Sequence, residues 1–373
     1  MIDSAVDFIA LSLVTGVGSR TAARLIDWFG SPGAVFHASP GALADFGLMP
    51  ELIARLGEPE PRRAAEAEIQ NLRAFGAEAI AISDARYPAL LKETYDPPIV
   101  LYAAGQIDTA LAQPSVAIVG TRQPSTYGQN AAHFLSRELA ARGVTIVSGF
   151  ARGIDGAAHR GALEAGGSTI AVLGTGLDVN YPKEHHKLGE EICARGLLLS
   201  EFVMGVAPTP QNFPYRNRVI SGLSLGVMVV EAAEHSGSLI TARLAMEQNR
   251  EVFALPGNIT SSKSFGPNYL IKSGAKLVQI WQDVTEEFPS EWKRKILREE
   301  MATDAQDVEQ AILVLDENED QVLKVLSPDA PMHVDELMLT TGLGASELMR
   351  VLLALEVKEQ VRQLPGKNFV KKL

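Results

Sequence analysis

The residues with the clearest chemical potential lie in three short segments that combine glycine with hydroxyl groups. Each segment follows an apolar run and opens a stretch of helical spacing. Amides and hydroxyl groups exposed at a helix start bind anions without requiring net positive charge. We therefore predict phosphate-binding loops built from Gly120, Thr121 and Arg122, from Ser148, Gly149, Arg152, Gly153 and Asp155, and from Gly237, Ser238 and Thr241.

A fourth segment, residues 213–218, adds cations and aromatic rings. Arg216 and Arg218 stand close to Phe213 and Tyr215 in this segment. Guanidinium groups bind phosphate in a bidentate manner, and aromatic rings stack on unpaired bases. Together with the three loops, the segment predicts a groove for several consecutive phosphates. The alternative is an ordinary α/β domain with glycine turns and surface arginines.

The motifs for nucleotide cofactors are incomplete. The dinucleotide fingerprint G-x-G-x-x-G needs three glycines, and the third is missing after Gly174 and Gly176. Gly120 has no second glycine two positions further on. A nucleotide phosphate loop carries a glycine five residues before its second glycine, and Gly366 has Val361 there. We expect neither a dinucleotide nor ATP as a cofactor.

Patterns for metal ligands and nucleophiles are equally sparse. His185 and His186 are adjacent, so from a helix they cannot point at one ion. Asp155 and His159 stand one helical turn apart but have no recognisable third ligand, and a helix cap with a buried histidine explains the pair. The G-x-S-x-G nucleophile turn does not occur. The sequence predicts a binding protein without metal or cofactor rather than an enzyme.

Six apolar runs must position these residues in the middle of the chain. An apolar run that ends in glycine or a small residue and alternates with helical stretches is typical of a parallel strand buried on both faces. We predict an α/β fold with an extended, Rossmann-like, doubly wound sheet, whose ligands bind at the carboxyl ends of the strands. The runs are residues 116–119, 144–147, 169–173, 197–199, 226–230 and 252–255.

A small helical domain is predicted ahead of this central domain. Residues 1–80 contain short stretches of helical spacing separated by glycine and proline. The turn Gly16-Val17-Gly18 resembles a helix-hairpin-helix, or SAM-like, unit, whose amides can meet a phosphate. A purely structural turn is the alternative. The central domain is then expected over residues 81–290.

A winged helix is predicted at the other end of the chain, over residues 319–373. Three apolar-periodic segments precede a hairpin centred on Pro365-Gly366, which is the pattern of that unit. The helix that would read DNA offers a single cation, Arg350, so packing or protein contact is favoured over DNA reading. Residues 291–318 are expected to form an acidic linker.

Composition limits the choice of partners and of compartment. The 373 residues include 46% hydrophobic and 21% charged residues, which suits a globular chain with a real core. The net charge is −11, so any binding of a polyanion must depend on the local placement of a few cations. Cys193 is the single cysteine, which excludes a disulfide framework. No apolar run suits a signal peptide or a membrane span, so we expect a cytoplasmic protein.

The motifs taken together resemble the DNA processing protein A (DprA/Smf) family. The resemblance spans about residues 85–285, and its most specific part is the string F-P-x-R-N-R-x-I-S-G-L over residues 213–223. The matching segments are residues 118–122, 148–149, 153–155, 174–178, 212–223, 236–242, 256–257 and 266–271.

This resemblance implies a function and a set of binding residues. It implies a homodimer that binds single-stranded DNA, protects incoming strands and delivers RecA recombinase onto them during natural transformation. Phe213 would stack on a base or anchor the core. The cations would be Arg122, Arg216, Arg218 and Lys263, and Asn217 and Ser221 complete the expected nucleic-acid-binding set.

Two other functions and one interface stay open at this point. The chain also resembles nucleoside monophosphate phosphoribohydrolases of the lysine-decarboxylase-like group, but Leu244 stands where those enzymes carry a glutamate. A winged-helix DNA-binding regulator is a further alternative. The apolar residues Leu270, Ile271 and Val278 are either part of the core or a two-fold interface, and we expect Leu270 to face outward from a helix.

Overall fold

The computed structural model describes residues 5–296, 316–327, 332–357, 360–364 and 366–371. These residues form two compact units, Met1–Glu300 and Met301–Leu373. Most of the linker expected over residues 291–318 lies outside the described residues. No single described helix is long and apolar enough to cross a membrane.

Six helices begin the first unit. Proline at the first turn of α3, α4 and α5 suits a helix start, since its missing N–H would have no partner there. The Ser31 and Ser39 hydroxyls accept from the N–H groups of Ala34 and Ala42, which caps α3 and α4. The bounds are α1 Ala5–Leu13, α2 Ser19–Phe29, α3 Pro32–His37, α4 Pro40–Asp45, α5 Pro50–Leu56 and α6 Glu60–Phe75.

A nine-stranded sheet follows, in the order β1-β2-β6-β5-β4-β3-β7-β8-β9. From β6 to β9 all neighbours run parallel, whereas β2 runs antiparallel to β1 and to β6. The six predicted strands are β3 to β8, so the parallel α/β sheet is confirmed. The bounds are β1 Glu78–Ala81, β2 Val100–Gly105, β3 Ser115–Val119, β4 Thr145–Ser148, β5 Thr169–Leu173, β6 Leu197–Ser200, β7 Gly226–Val229, β8 Glu251–Ala254 and β9 Lys276–Leu277.

Helices cover both faces of this sheet because successive strand residues point to opposite sides. Val116 and Ile118 of β3 pack in one buried cluster with α9 and α10, whereas Ala117 and Val119 pack in another with α12 and α13. The bounds are α7 Ala89–Lys92, α8 Ile107–Leu111, α9 Thr126–Ala140, α10 Ile154–Glu164, α11 His186–Arg195, α12 Asn212–Leu223, α13 Gly237–Glu247, α14 Phe265–Lys272 and α15 Trp281–Thr285.

The N-terminal helices share a core with the sheet. Phe8 and Leu25 belong to the same buried cluster as Tyr102 of β2 and Leu173 of β5. Strand β1 itself crosses residue 80, where the sequence predicts the boundary between two domains. Contacts therefore join both sides of that position in one compact unit.

The second unit is a winged helix, as predicted. Its sheet has the order β10-β12-β11, and Gly366 and Lys367 turn the hairpin with positive φ values of 80° and 59°. Leu337, Leu348 and Phe369 lie in its buried core. The bounds are α16 Glu317–Val325, β10 Met332–His333, α17 Val334–Thr341, α18 Ala345–Val357, β11 Val361–Leu364 and β12 Asn368–Lys371.

Candidate nucleic-acid interface

A cavity of about 610 Å³ opens at the carboxyl edge of the sheet, and we call it the groove. The loops after β3, β4 and β7 and the first turns of α12 and α13 form its walls, which is the location the sequence predicts. The predicted residues that line the groove are Gly120, Thr121, Arg122, Asp155, Phe213, Arg216, Asn217, Gly237, Ser238 and Thr241.

A smaller cavity of about 170 Å³ adjoins the groove and shares Arg122 and Phe213 with it. Gly149 and Arg152 line this second cavity. The other predicted residues, Ser148, Gly153, Arg218, Ser221 and Lys263, are absent from the lining of both cavities as far as the structure describes them.

The loop after β3 is held in place by Glu231, a buried residue that follows β7. Its backbone carbonyl accepts from the Thr121 N–H at 2.7 Å. Its carboxylate accepts from the Ser125 N–H at 2.8 Å and from the Ser125 hydroxyl. The Ser125 hydroxyl in turn accepts from the Gly128 N–H at 3.1 Å and so caps α9. Arg122 is thus exposed on a loop that is fixed at both ends.

The loop after β4 is organised by the carboxylate of Asp155. Asp155 is only 6% exposed, and its Oδ2 accepts from the Ala151 N–H at 3.2 Å. Burial raises the pKa of this carboxyl, and the nearby Arg216 guanidinium opposes the shift. A Cβ on Gly149 would lie 2.7 Å from Asp155 Oδ2, so this position requires glycine. Asp155 therefore shapes the loop from within and also lines the groove, and its direct contact with nucleic acid stays a prediction.

Aromatic packing also holds the loop after β4 in place. Phe150 has a φ of 58°, in the left-handed region that non-glycine residues rarely adopt. Its ring packs against the rings of His159 and His185, with centroids 6.1 and 5.2 Å apart. The Thr169 hydroxyl donates to the Ile146 carbonyl, so it acts as the acceptor for His159 Nδ1 at 2.7 Å. Burial lowers the pKa of His159 to about 3, so the ring is neutral.

Arg216 lines the groove but is buried, with 5% of its surface exposed. Its guanidinium donates to the carbonyls of Gly149 and Val172, which end β4 and β5. Burial lowers its pKa to about 10, against the effect of Asp155. That Arg216 binds phosphate stays a prediction: the side chain lines the groove, and its hydrogen bonds also join the ends of two strands.

Arg218 lies outside the groove and is 4% exposed. It donates to both carboxylate oxygens of Glu201 and to the Asp96 carbonyl, and its guanidinium stacks on Tyr215 at 4.2 Å from the ring centroid. Burial raises the pKa of Glu201, and Arg218 opposes that shift. Three neighbours already surround Arg218, so the structure favours a structural role for it over the predicted binding of phosphate.

Three further predicted residues, Ser148, Gly153 and Ser221, stabilise or fit the local backbone conformation. The Ser148 hydroxyl donates to the Ile118 carbonyl at 2.6 Å, and the Ser221 hydroxyl donates back to its own helix. Gly153 has a φ of 78°, and a Cβ there would lie 2.4 Å from the Thr121 oxygen. Both hydroxyl groups are buried and hydrogen-bonded, so the structure favours a role in the fold for Ser148 and Ser221 over the predicted contact with a ligand. Lys263 is half-buried, with its carbonyl accepting from the Ala232 N–H.

The exposed chemistry of the groove is a guanidinium beside two aromatic rings. Arg122 is exposed and stacks on Phe213, 5.5 Å from the ring centroid. Tyr181 lies 5.6 Å from Phe213, centroid to centroid. Arg152 is exposed but forms an ion pair with Glu184. Gly237 and Ser238, at the start of α13, also line the groove. This arrangement is suited to binding a phosphate chain whose bases are free to stack.

Glu231, Ser125 and Tyr181 matter for the groove although sequence reasoning did not single them out for it. Glu231 ends the apolar run 226–230, and a carboxylate at that point is a signal that could have suggested a loop anchor. Tyr181 reaches the groove only through the connection between β5 and α11, which no spacing rule reveals. Among the described residues, no group of three or more histidine, cysteine or acidic side chains is placed to hold a metal.

The apolar residues considered for a two-fold interface lie mainly in the core. Leu270 is 6% exposed and Val278 is fully buried, while Ile271 is half-buried against the same sheet face as Leu270. The expectation that Leu270 faces outward is wrong, because this side of α14 packs on β8. The outward side of α14 carries Phe265 and Tyr269 instead, 45% and 58% exposed, with parallel rings 6.3 Å apart.

A Rossmann-like sheet with a groove of amides, hydroxyl groups and aromatic rings, followed in the chain by a winged helix, defines a nucleic-acid-binding α/β protein. The chain belongs to the DNA recombination-mediator protein A family, whose model matches residues 78–289. The model of the DprA winged helix domain matches residues 305–367. The resemblance found in the sequence is thereby confirmed.

Individual relatives cover different shares of the chain. It is similar to Protein Smf of Escherichia coli, with 47% identity over 227 residues, which are 61% of this chain and 60% of that protein. It is 34% identical to Protein Smf of Synechocystis over 97% of both chains.

Two solved structures are similar at the level of fold and sequence. DNA processing protein A from Streptococcus pneumoniae has a TM-score of 0.64 and 37% identity, covering 78% of this chain and 99% of that one. DNA processing protein A from Helicobacter pylori, described for its single-stranded DNA binding mode, has a TM-score of 0.51 and 34% identity, covering 56% and 94%.

Proposed function

We propose that this protein binds single-stranded DNA in the groove and delivers RecA recombinase onto the bound strand during DNA uptake. The observation that carries the proposal is the pairing of helix starts and glycine loops with the exposed ring of Tyr181 and the half-buried ring of Phe213 beside it. Family membership supports a role in recombination. The single-stranded DNA binding described for the Helicobacter pylori relative supports the choice of ligand.

The groove favours a single strand over a duplex for a physical reason. Tyr181 and Phe213 can stack only on bases whose faces are free, and the bases of a duplex are stacked on one another. In the groove, Arg122 is an exposed cation, whereas Arg216 is buried and committed to carbonyls. Duplex binding depends mainly on neutralising many phosphates, which this groove does not do.

A homodimer is the second part of the proposal. The parallel rings of Phe265 and Tyr269 form an exposed aromatic surface on α14, and aromatic residues are enriched at protein interfaces. Two grooves held together raise the apparent affinity for a long strand without new contacts. The proposed interface is therefore the outward side of α14 rather than Leu270 and Val278.

Delivery of RecA and residence in the cytoplasm complete the proposal. Both follow from the family's role on DNA, since incoming strands and RecA meet where the chromosome is. Binding by amides and stacking suits such delivery, because a strand that is not held by many ion pairs can be passed to another protein. No enzymatic step is needed for this role.

Fluorescence anisotropy with labelled oligonucleotides tests the binding. We expect dT20 to bind more tightly than a duplex of the same length, with log K falling against log salt with a slope of about −0.7 for each phosphate neutralised by a cation. Tighter binding to the duplex would refute the groove as a single-strand site. A second assay tests delivery: RecA filaments should form faster on a strand carrying this protein than on the same strand coated with a single-stranded DNA-binding protein alone.

A further inference from the structure

A third cavity, of about 240 Å³, lies where the N-terminal helices meet the sheet, and we call it the junction pocket. Val17 and Ser19 contribute the wall from the N-terminal helices, and Phe202, Val206 and Tyr215 contribute the opposite wall. The walls are largely apolar, and the polar side chains are the hydroxyl groups of Ser12, Ser19 and Tyr215 and the carboxylate of Glu201. The Ser12 hydroxyl donates to the Ile9 carbonyl of its own helix. Small-ligand sites commonly have this composition and lie at such junctions.

The junction pocket is separated from the groove by one thin wall. Val206 lines the pocket and Pro208 lines the groove, while the adjacent residues Pro214 and Tyr215 line the groove and the pocket respectively. Consecutive Cα atoms are about 3.8 Å apart, so the wall is about one chain segment thick. A strand that leaves the groove over this wall would bring its next base to the pocket.

The carboxylate of Glu201 determines which kind of ligand suits the junction pocket. An ionised carboxylate offers about four acceptor sites. Three are used: Ser19 donates to Oε1 at 3.0 Å, and Arg218 donates to both oxygens. One acceptor site is left among the described contacts, and a phosphate would be repelled by Glu201 and by nearby Asp96. A neutral, flat group that carries an amino donor fits this combination.

Aromatic surface is available for such a group. Tyr215 is 42% exposed, with one face of its ring on the Arg218 guanidinium. The ring of Phe202 lies 6.3 Å away, centroid to centroid. An aromatic ring that is covered on one side and open on the other is a stacking platform for an unpaired base.

We propose that the junction pocket binds one unpaired base of the DNA strand in the groove, and that Glu201 selects a base with an exocyclic amino group, such as cytosine. The inference deepens the proposed function and rests on it. Carboxylates accept from the N4 amino group of cytosine, whereas uracil presents a carbonyl oxygen at the same position. The pocket therefore gives this strand-binding protein a preference by base composition at one position of its path.

Binding of dC20 and dU20 tests the proposal, because the two differ only in that amino group and the adjoining ring nitrogen. At neutral to slightly alkaline pH we expect the wild-type protein to bind dC20 about fivefold more tightly. Val206→Trp fills the pocket and should remove the preference, so that dC20 and dU20 bind equally. The matched control Ala207→Trp places the same side chain one residue along, at an exposed position outside both cavities, and should keep it.

Cross-linking gives a measurement that needs no variant. A dC20 strand with 5-iododeoxycytidine, irradiated in complex with the wild-type protein, should label the peptide that contains Phe202 or Tyr215. Equal binding of dC20 and dU20, a preference that survives Val206→Trp, or labelling confined to the groove would overturn the junction pocket and leave the proposed function standing. Failure of both oligonucleotides to bind would overturn the proposed function itself, and this inference with it.

Discussion

Arg122 and Arg216 both line the groove, but only Arg122 presents its guanidinium to solvent. The Arg216 guanidinium donates to the carbonyls of Gly149 and Val172 and lies close to the buried carboxylate of Asp155. In the proposed function the same residue type therefore has two tasks at one site: direct contact with the ligand for Arg122, and alignment of the strand ends for Arg216.

Replacing Arg122 by alanine tests the first task. We expect weaker binding of dT20 and a salt slope reduced by about 0.7, because one phosphate contact is lost. The melting temperature should stay the same, since the side chain is exposed. The control is Arg63→Ala, which removes an exposed arginine on α6, outside the groove lining, and should leave binding unchanged. Equal effects of the two variants would argue against a specific role of Arg122.

Replacing Arg216 by alanine tests the second task. The change leaves two buried carbonyls without donors and the Asp155 carboxylate without its neighbouring charge. Breaking a buried charge pair in this way costs about 3 kcal/mol of unfolding free energy. Urea denaturation measures the loss directly. Normal stability together with lost DNA binding would instead identify Arg216 as a direct ligand.

The buried ring of His159 predicts a dependence of stability on pH. Its pKa is lowered to about 3 in the fold, against about 6.5 in an unfolded chain. Between these values the unfolded chain binds one more proton, so the free energy of unfolding falls as pH falls. The contribution is about 1.4 kcal/mol per pH unit.

The His159→Asn variant isolates this contribution, since asparagine can still donate to Thr169. Denaturant titrations from pH 6 to pH 4 should show a steeper loss of stability in the wild type than in the variant. Asp155, Glu201 and His185 also have shifted pKa values, but they titrate in both proteins and cancel in the difference. Parallel pH profiles would show that His159 is protonated equally in the folded and unfolded chains.

At the scale of elements, the start of α9 connects stability to binding. Ser125 caps this helix and is itself held by Glu231, so the cap also fixes the loop that presents Arg122. Ser125→Ala should cost about 1 kcal/mol of unfolding free energy and should also weaken binding of dT20. The matched control is Ser31→Ala, which removes the cap of α3, away from the groove. That variant should lose comparable stability with unchanged binding; if it too loses affinity, the effect of Ser125 is a general one.

Sequence reasoning predicted the parallel strands because runs such as 116–119 and 169–173 are apolar throughout and end in glycine or a small residue. It missed β1 and β2 because residues 80–82 and 97–102 are flanked by prolines and turn residues. These two strands pair antiparallel with each other, and β2 also pairs antiparallel with β6. Strand-end loops are visible in a sequence because glycine marks them.

The burial of individual arginines could not be predicted in the same way. Arg216 and Arg218 stand two residues apart on α12, so their side chains leave the helix in different directions. Arg218 meets Asp96, which lies 122 residues earlier in the chain, and Glu201, which lies 17 residues earlier. Such partners become neighbours only in the folded molecule, and no local sequence pattern predicts these contacts. The same argument applies to Leu270, whose helix was predicted but whose direction was not.

At the scale of the whole molecule, the proposed dimer predicts a variant that separates assembly from folding. Tyr269→Arg puts a charge on the exposed side of α14 and should give a folded monomer of 40.1 kDa with weaker binding to long strands. Sedimentation velocity and urea denaturation measure the two properties. Leu270→Arg is the informative contrast, because it buries a charge and should unfold the protein. A Tyr269→Arg protein that stays dimeric would place the interface elsewhere.

If the protein binds single strands as proposed, the two ends of its nine-stranded sheet affect how many copies behave side by side on one strand. Strand β9 has two residues, and Lys276 on it is paired with Glu286 and Glu287. At the opposite end, Glu78 of β1 is paired with Arg86. Short, charged edge strands offer a neighbouring chain few unpaired backbone groups with which to extend the sheet. We therefore expect copies at high local concentration to remain separate proteins and not to form a continuous intermolecular β-sheet. A bound strand would then stay free to dissociate from them.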